Sequence, residues 1–223
     1  MLNILRSYGD PRNVEGMARF GITSAKAFGV SAPVIRGLAK EIGRNHGLAL
    51  QLWQTGILEA RALAALIGDP RRVTKPLMNT WAKDFDNWAV CDGACGILFD
   101  KTPFAYQMAI QWSRRTEEFV KRAGFVLMAS LAVHDKQAPD DKFLKFLPII
   151  ERESDDERNF VRKAVNWALR QIGKRSLNLN VVAIRYGKRI RRRGTKSARW
   201  IAADALRELE STSVRKRLSK KIR

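Results

Sequence analysis

The sequence predicts an all-α fold, an α-solenoid of stacked helical hairpins. Three observations carry this. Apolar residues recur at helical spacing along most of the 223 residues, with no sustained period-two alternation and no Asn-Gly or Asp-Gly hairpin turn between β-branched runs. Segments of the chain resemble one another at a nearly fixed interval. Proline-containing stops separate the helical stretches.

The periodicity predicts helices over Ala32 to Ile42, Gly47 to Thr55, Leu58 to Ile67, Lys75 to Trp81, Trp88 to Leu98, Phe104 to Ser113, Glu117 to Leu131, Lys142 to Ile150, Arg158 to Ile172, Leu179 to Ile190 and Ala198 to Leu209. Asp69-Pro70, Thr102-Pro103 and Ala138-Pro139 mark stops, because the residue before proline is pushed out of the helical region. Phe119-Val-Lys-Arg-Ala123 reappears as Phe160-Val-Arg-Lys-Ala164, a spacing of 41, and Val161-Arg162 with Ala168-Leu169-Arg170 reappears as Ala198-Arg199 with Ala205-Leu206-Arg207, a spacing of 37. These periods fall in or near the range of HEAT and armadillo units, whose helical hairpins bury an apolar face only by stacking on neighbours. Five or six helix pairs in a single domain over 1–223, with a concave side, follow, and residues 211–223 read as a basic tail open to flexibility.

Charge sets the class of partner. The chain carries 42 Lys and Arg against 22 Asp and Glu, a formal net charge of +20. Arg185 to Arg223 holds 15 basic and three acidic residues, so that this segment contributes +12. Such an excess points to a polyanion, first of all nucleic acid, with an anionic membrane surface as the alternative. Apolar runs such as Phe125 to Val133 are far shorter than the roughly 20 residues that span a bilayer, and no charged-then-apolar leader is read. A soluble, monomeric, cytoplasmic protein associated with the nucleoid is expected. Cys91 and Cys95, with only His46 and His134 as other soft ligands, supply neither a zinc tetrad nor a disulfide framework. They read as reduced, partly buried thiols, and no metal or organic cofactor is expected.

Familiar catalytic signatures are absent: no phosphate-binding Gly-rich loop, no G-x-S-x-G and no H-E-x-x-H. His46 and His134 read as surface or helix-end residues, so any chemistry must use carboxylates and aromatics. Trp88-Ala-Val-Cys-Asp92 meets that demand by stacking an indole and a carboxylate at i and i+4 of one helical face. Trp167 lies on a second face with Lys163, Arg170 and Lys174. Trp53, Trp81 and Trp112 read as core. The matching helices each place cations early, so Lys121 and Arg122, Arg162 and Lys163, and Arg199 would form a basic band along the concave surface.

Phe119-Val-Lys-Arg122-Ala, Val165-Asn-Trp167-Ala-Leu-Arg-Gln-Ile-Gly-Lys174 and Trp88-x-x-x-Asp92, in this order, resemble the AlkD-like DNA alkylation-repair glycosylases. Met17-Ala-Arg-Phe20 and Gly29-Val-Ser-Ala-Pro-Val-Ile-Arg36 upstream, and Ser197-Ala-Arg-Trp-Ile-Ala-Ala-Asp-Ala-Leu-Arg207 downstream, extend the likeness over nearly the whole chain. The resemblance implies a HEAT-like solenoid whose concave basic face holds duplex DNA, and excision of cationic N3- or N7-alkylated purines without a base-flipping pocket. It further implies that Trp88 and Trp167 are aromatic walls, Asp92 the catalytic carboxylate and Arg122 a phosphate contact; the cations read above from the repeats and the Trp167 face, Lys121, Arg162, Lys163, Arg170, Lys174 and Arg199, are expected on the DNA. The chain departs from the pattern in Asn87, where a second Trp is expected, in Cys91 before the aspartate, and in a short segment before Pro11. A non-catalytic HEAT-like protein that binds duplex or branched DNA, or a scaffold that binds RNA, fits the same residues.

Overall fold

The computed structural model describes residues 1–22 and 26–220. The regular elements among these residues are all helical, with no strand. In chain order the helices are α1 (Leu2–Ser7), α2 (Pro11–Ala18), α3 (Ala32–Ile42), α4 (His46–Gln54), α5 (Leu58–Ile67), α6 (Lys75–Lys83), α7 (Trp88–Gly93), α8 (Ala105–Trp112), α9 (Glu118–His134), α10 (Asp140–Leu144), α11 (Leu147–Arg152), α12 (Asn159–Gly173), α13 (Leu177–Arg192), α14 (Lys196–Leu209) and α15 (Thr212–Ser219). The chain divides into two compact units, Met1–Phe104 and Ala105–Arg223. No helix among the described residues is long and apolar enough to cross a membrane.

In the first unit α5 is the hub, packing against α3, α4 and α7. Its apolar face, Leu63, Ala64 and Ile67, is fully buried. Trp53 of α4 stacks flat on Trp81 of α6, with ring centroids 3.8 Å apart and planes 4° from parallel, and Phe85 meets Trp53 edge-on. Both indoles are 2% exposed, as the sequence reading of Trp53 and Trp81 required. The Trp53 N–H is satisfied by Asp84 at 2.8 Å, which removes the cost of burying an indole donor.

Glu59 of α5, 1% exposed, anchors the N-terminal segment. Its carboxylate accepts the backbone N–H groups of Phe28 at 3.0 Å, Gly29 at 2.7 Å and Val30 at 3.3 Å. Gly29 has φ of +80°, and a Cβ there would lie 2.0 Å from the Asp10 carbonyl oxygen, so this turn admits glycine alone.

In the second unit α8 packs with α9, α11 with α12 and α13 with α14, while α10 and α11 also rest on α13. Helices α9, α12 and α14 lie side by side, α12 packing against both the others. Ala123 to Ala132 of α9 are buried without interruption. The close approach of α8 and α9 depends on Gly124, where a Cβ would stand 2.5 Å from the Ser113 nitrogen. Trp112, at 2% exposure, is core as expected.

The repeat seen in the sequence is physically expressed between these pairs. Phe119 and Phe160, matched at a spacing of 41, are in ring contact at 5.3 Å. Hydrogen bonds from one pair to the next join residues about one repeat apart: Asn166 donates to Asp204, 38 residues on, at 2.7 Å, Thr195 to Asp155, 40 residues back, at 2.9 Å, and Arg175 to the Ala138 carbonyl, 37 residues back, at 2.6 Å.

Several boundaries differ from expectation. Lys142 to Ile150 is two helices, because Pro148 sits in the first turn of α11 and forces a new start there. Trp88 to Leu98 begins as α7 and continues as a wider π-helical segment, Ala94–Leu98. The stretch read as a flexible tail contains α15, docked through Val214 and Leu218 at 6% and 1% exposure; residues 221–223 lie outside those described. His46 opens α4 but is buried, its Nδ1 accepting the Asp69 N–H at 3.4 Å, whereas His134 is exposed at the end of α9. Cys91 and Cys95 form no disulfide and are fully buried, so the thiols are more enclosed than the partial burial expected.

Candidate functional site

Helix α7 owes its position to Asn87, the residue immediately before Trp88. The Asn87 side-chain carbonyl accepts the N–H groups of Ala89 at 2.9 Å and Val90 at 3.1 Å, and its amide donates to Asp86 at 2.7 Å. At 1% exposure, this cap is part of the packed interior. It fixes Trp88 as the first helical residue. The Trp88 indole N–H donates to the Phe20 carbonyl at 2.9 Å, tying α7 to the turn that follows α2.

Asp92 follows Trp88 by four residues on the same face, and both side chains are half-buried. Behind them, on the inner side of the helix, are Val90, Cys91, Ala94 and Cys95. Burial holds the Cys95 thiol well above its usual pKa, reinforced by Cys91 and by the negative charge of Asp92. A Cβ built on Gly93, the residue after Asp92, meets nothing within 4 Å, so there is open space at that position of the helix. An indole, a carboxylate and open space therefore coincide within one short helix of the first unit.

Trp167 belongs to the second unit, half-buried on α12, one turn from the exposed Lys163. The cations expected around it divide into two kinds. Arg170 is ion-paired with Asp204 at 3.1 Å and with Glu208, and Lys174 with Glu208 at 2.9 Å. Lys121, 12% exposed at its side chain, bridges to Asp156 at 2.9 Å and to Glu153. Arg158 also grips Asp156, and although burial pushes that carboxyl up, the hydrogen bonds from Arg158 and Lys121 prevail and hold it at about 2. Arg122 is only 7% exposed and donates to the Phe160 carbonyl at 2.7 Å.

The expected basic band is thus interrupted. Acidic residues of the following helix pair neutralise Lys121, Arg170 and Lys174, and Arg122 is drawn inward onto a neighbouring carbonyl. Lys163 and Arg199 are exposed and make no ion pair among the described residues. Arg162 lies over the Trp200 ring, 5.2 Å from its centroid.

A model of the DNA alkylation repair enzyme family matches residues 1–209. The chain belongs to that family. No curated protein matches. A solved structure, described as "a new family of proteins related to the HEAT-like repeat DNA glycosylases with affinity for branched DNA structures", is similar with a TM-score of 0.75 and 20% identity. The similarity covers 84% of this chain and 80% of that one, and at this identity it establishes the shared HEAT-like fold.

The family assignment agrees with the resemblance read from the Trp88, Asp92 and Trp167 motifs. What sequence reading missed is the support around them. Asn87 was visible only as a departure from the expected Trp, although an Asn directly before a helix is a strong capping signal. The ion-pair partners Glu153, Asp156, Asp204 and Glu208 gave no local signal. They lie 32 to 38 residues from their cations, the distance across one repeat.

Proposed function

We propose that this protein hydrolyses the N-glycosidic bond of cationic N3- or N7-alkylated purines in duplex DNA. The observation that carries the reading is the Trp88 and Asp92 pair, set on one open face of α7 by the Asn87 cap, in a member of the DNA alkylation repair enzyme family.

The chemistry suits these groups. Alkylation at N3 or N7 leaves the base positively charged, so the leaving group needs no protonation and the reaction needs no histidine. Positive charge develops on the deoxyribose as the bond breaks, and a fixed carboxylate stabilises it and orients the attacking water. Asp92 takes that role. The face of Trp88 attracts a cationic base or sugar by about 0.5 to 2 kcal/mol where water is excluded. Contacts to backbone and sugar, not base edges, hold the DNA, so the lability of the lesion selects it.

Of the cations expected on DNA, Lys163 and Arg199 are assigned to phosphates, since neither is ion-paired, whereas the Arg162 guanidinium lies over the Trp200 ring. Lys121, Arg170 and Lys174 are assigned to stiffening the repeats on which the DNA rests. Arg122 is assigned to positioning α12 through Phe160.

The second reading is a non-catalytic protein that binds branched DNA, favoured by the description of the similar structure. Release of 7-methylguanine or 3-methyladenine from methylated duplex DNA, measured in a single turnover, separates the two. Release supports the glycosylase; tight binding without release supports the second reading.

A further inference from the structure

Trp200 is the one indole assigned neither to the core nor to the chemistry above. It projects from the first turns of α14 and is 37% exposed, a large apolar area to leave in water. The Arg162 guanidinium lies across its ring at 5.2 Å. That guanidinium is also bound by Asn159 at 3.4 Å, while its Nε, buried beneath the surface, has no hydrogen-bond partner.

The surroundings are cationic. Lys163 lies beside Arg162 on α12, and Lys196 and Arg199 precede Trp200 on α14; all three are exposed and make no ion pair among the described residues. The nearby acid, Glu157, accepts the Ser197 backbone N–H at 2.9 Å. Further along the same two helices, the row of cross-helix contacts continues as Asn166 with Asp204, then Arg170 and Lys174 with Glu208. Acids close every rung of this row except the first, where the partner of the cation is an aromatic ring.

We infer that Arg162 and Trp200 form a stacking contact for an unpaired nucleotide of a DNA strand, with Lys163, Lys196 and Arg199 holding the flanking phosphates. The inference rests on the reading that this surface binds DNA and names the part of DNA it prefers. An exposed ring flanked by unneutralised cations is the combination that binds single strands, because every base has a face to stack and every linkage a phosphate to neutralise. A paired base in duplex keeps both faces within its own stack, so the indole gains little from it. The planar guanidinium fixes the ring in place and extends the platform, which an ammonium does not do.

The test is fluorescence anisotropy of wild type, Trp200→Ala, Trp200→Phe and Arg162→Lys with labelled duplex and with the same duplex carrying a short single-stranded gap. Wild type is expected to bind the gapped DNA more tightly. Trp200→Ala is expected to weaken binding to it by about tenfold, with duplex binding changed less than about twofold, the range of one lost stacked base. Trp200→Phe recovers most of the loss, Arg162→Lys does not, and unchanged duplex binding shows that the variants are folded. Equal loss on both DNAs, or no loss on the gapped one, overturns the stacking contact while leaving DNA binding intact. Failure of wild type to bind either DNA overturns the DNA-binding reading itself, and the stacking contact with it.

Discussion

The indole N–H of Trp88 and the carbonyl oxygen of Phe20 are 2.9 Å apart, although 68 residues separate them in the chain. This bond makes the aromatic residue of the candidate site a latch for the turn after α2. Trp88→Phe keeps an aromatic face and removes the donor, leaving the carbonyl to water. The expected cost to stability is about 0.5 to 1.5 kcal/mol. Hydrogen exchange should accelerate at Phe20 and Gly21 more than in α5, and uniform exchange across the first unit would show that the bond anchors nothing.

Asn87→Ala tests the cap. Two backbone N–H groups lose their acceptor, with an expected loss of about 1 to 2 kcal/mol in urea denaturation. Asn87→Asp should recover much of it, since a carboxylate serves as acceptor and suits the positive end of a helix. A neutral Asn87→Ala would mean that packing, and not the cap, sets the start of α7.

Gly93 supplies a test of the open face. Its backbone is right-handed helical, and a Cβ there meets nothing within 4 Å. Gly93→Ala should therefore raise stability by about 0.5 to 1 kcal/mol. Gly93→Leu should fold equally well and yet lower base release at least tenfold by crowding the approach to Asp92. Full release from the leucine variant would show that DNA comes from another side.

Acid sensitivity should trace to Asp156. With Lys121 and Arg158 holding its carboxyl at about 2, below the usual range, its ion pairs contribute stability above pH about 4 that is lost as pH falls towards 2. Asp156→Asn should be less stable than wild type at pH 7 and converge with it by pH 2. A constant difference across that range would place the destabilisation outside the titration.

The helical architecture was legible because long amphipathic segments and copied motifs are local signals: α3 and α5 begin and end where the periodicity placed them. Phe119 and Phe160 touch because equivalent positions in stacked repeats must. Helices α1, α2 and α15 were not anticipated. At six to eight residues they are too short for periodicity to stand out, and they are held by a few buried side chains such as Leu5 and Val214. In the candidate site, the placing of Trp88 and Asp92 on one helix was legible from their spacing. The fate of the cations was not. Whether Lys121 or Arg170 faces solvent or an acid depends on residues of the next repeat, and a count of charges does not carry that information.

The most direct test of the central claim is single-turnover release of 7-methylguanine and 3-methyladenine from methylated duplex DNA by wild type and Asp92→Asn, alongside their DNA affinities. Wild type is expected to release both bases, the variant to lose at least a hundredfold in release, and the two affinities to agree within a few fold. Equal release by both proteins would contradict the role of Asp92, and tight binding by wild type with no release would contradict the glycosylase itself.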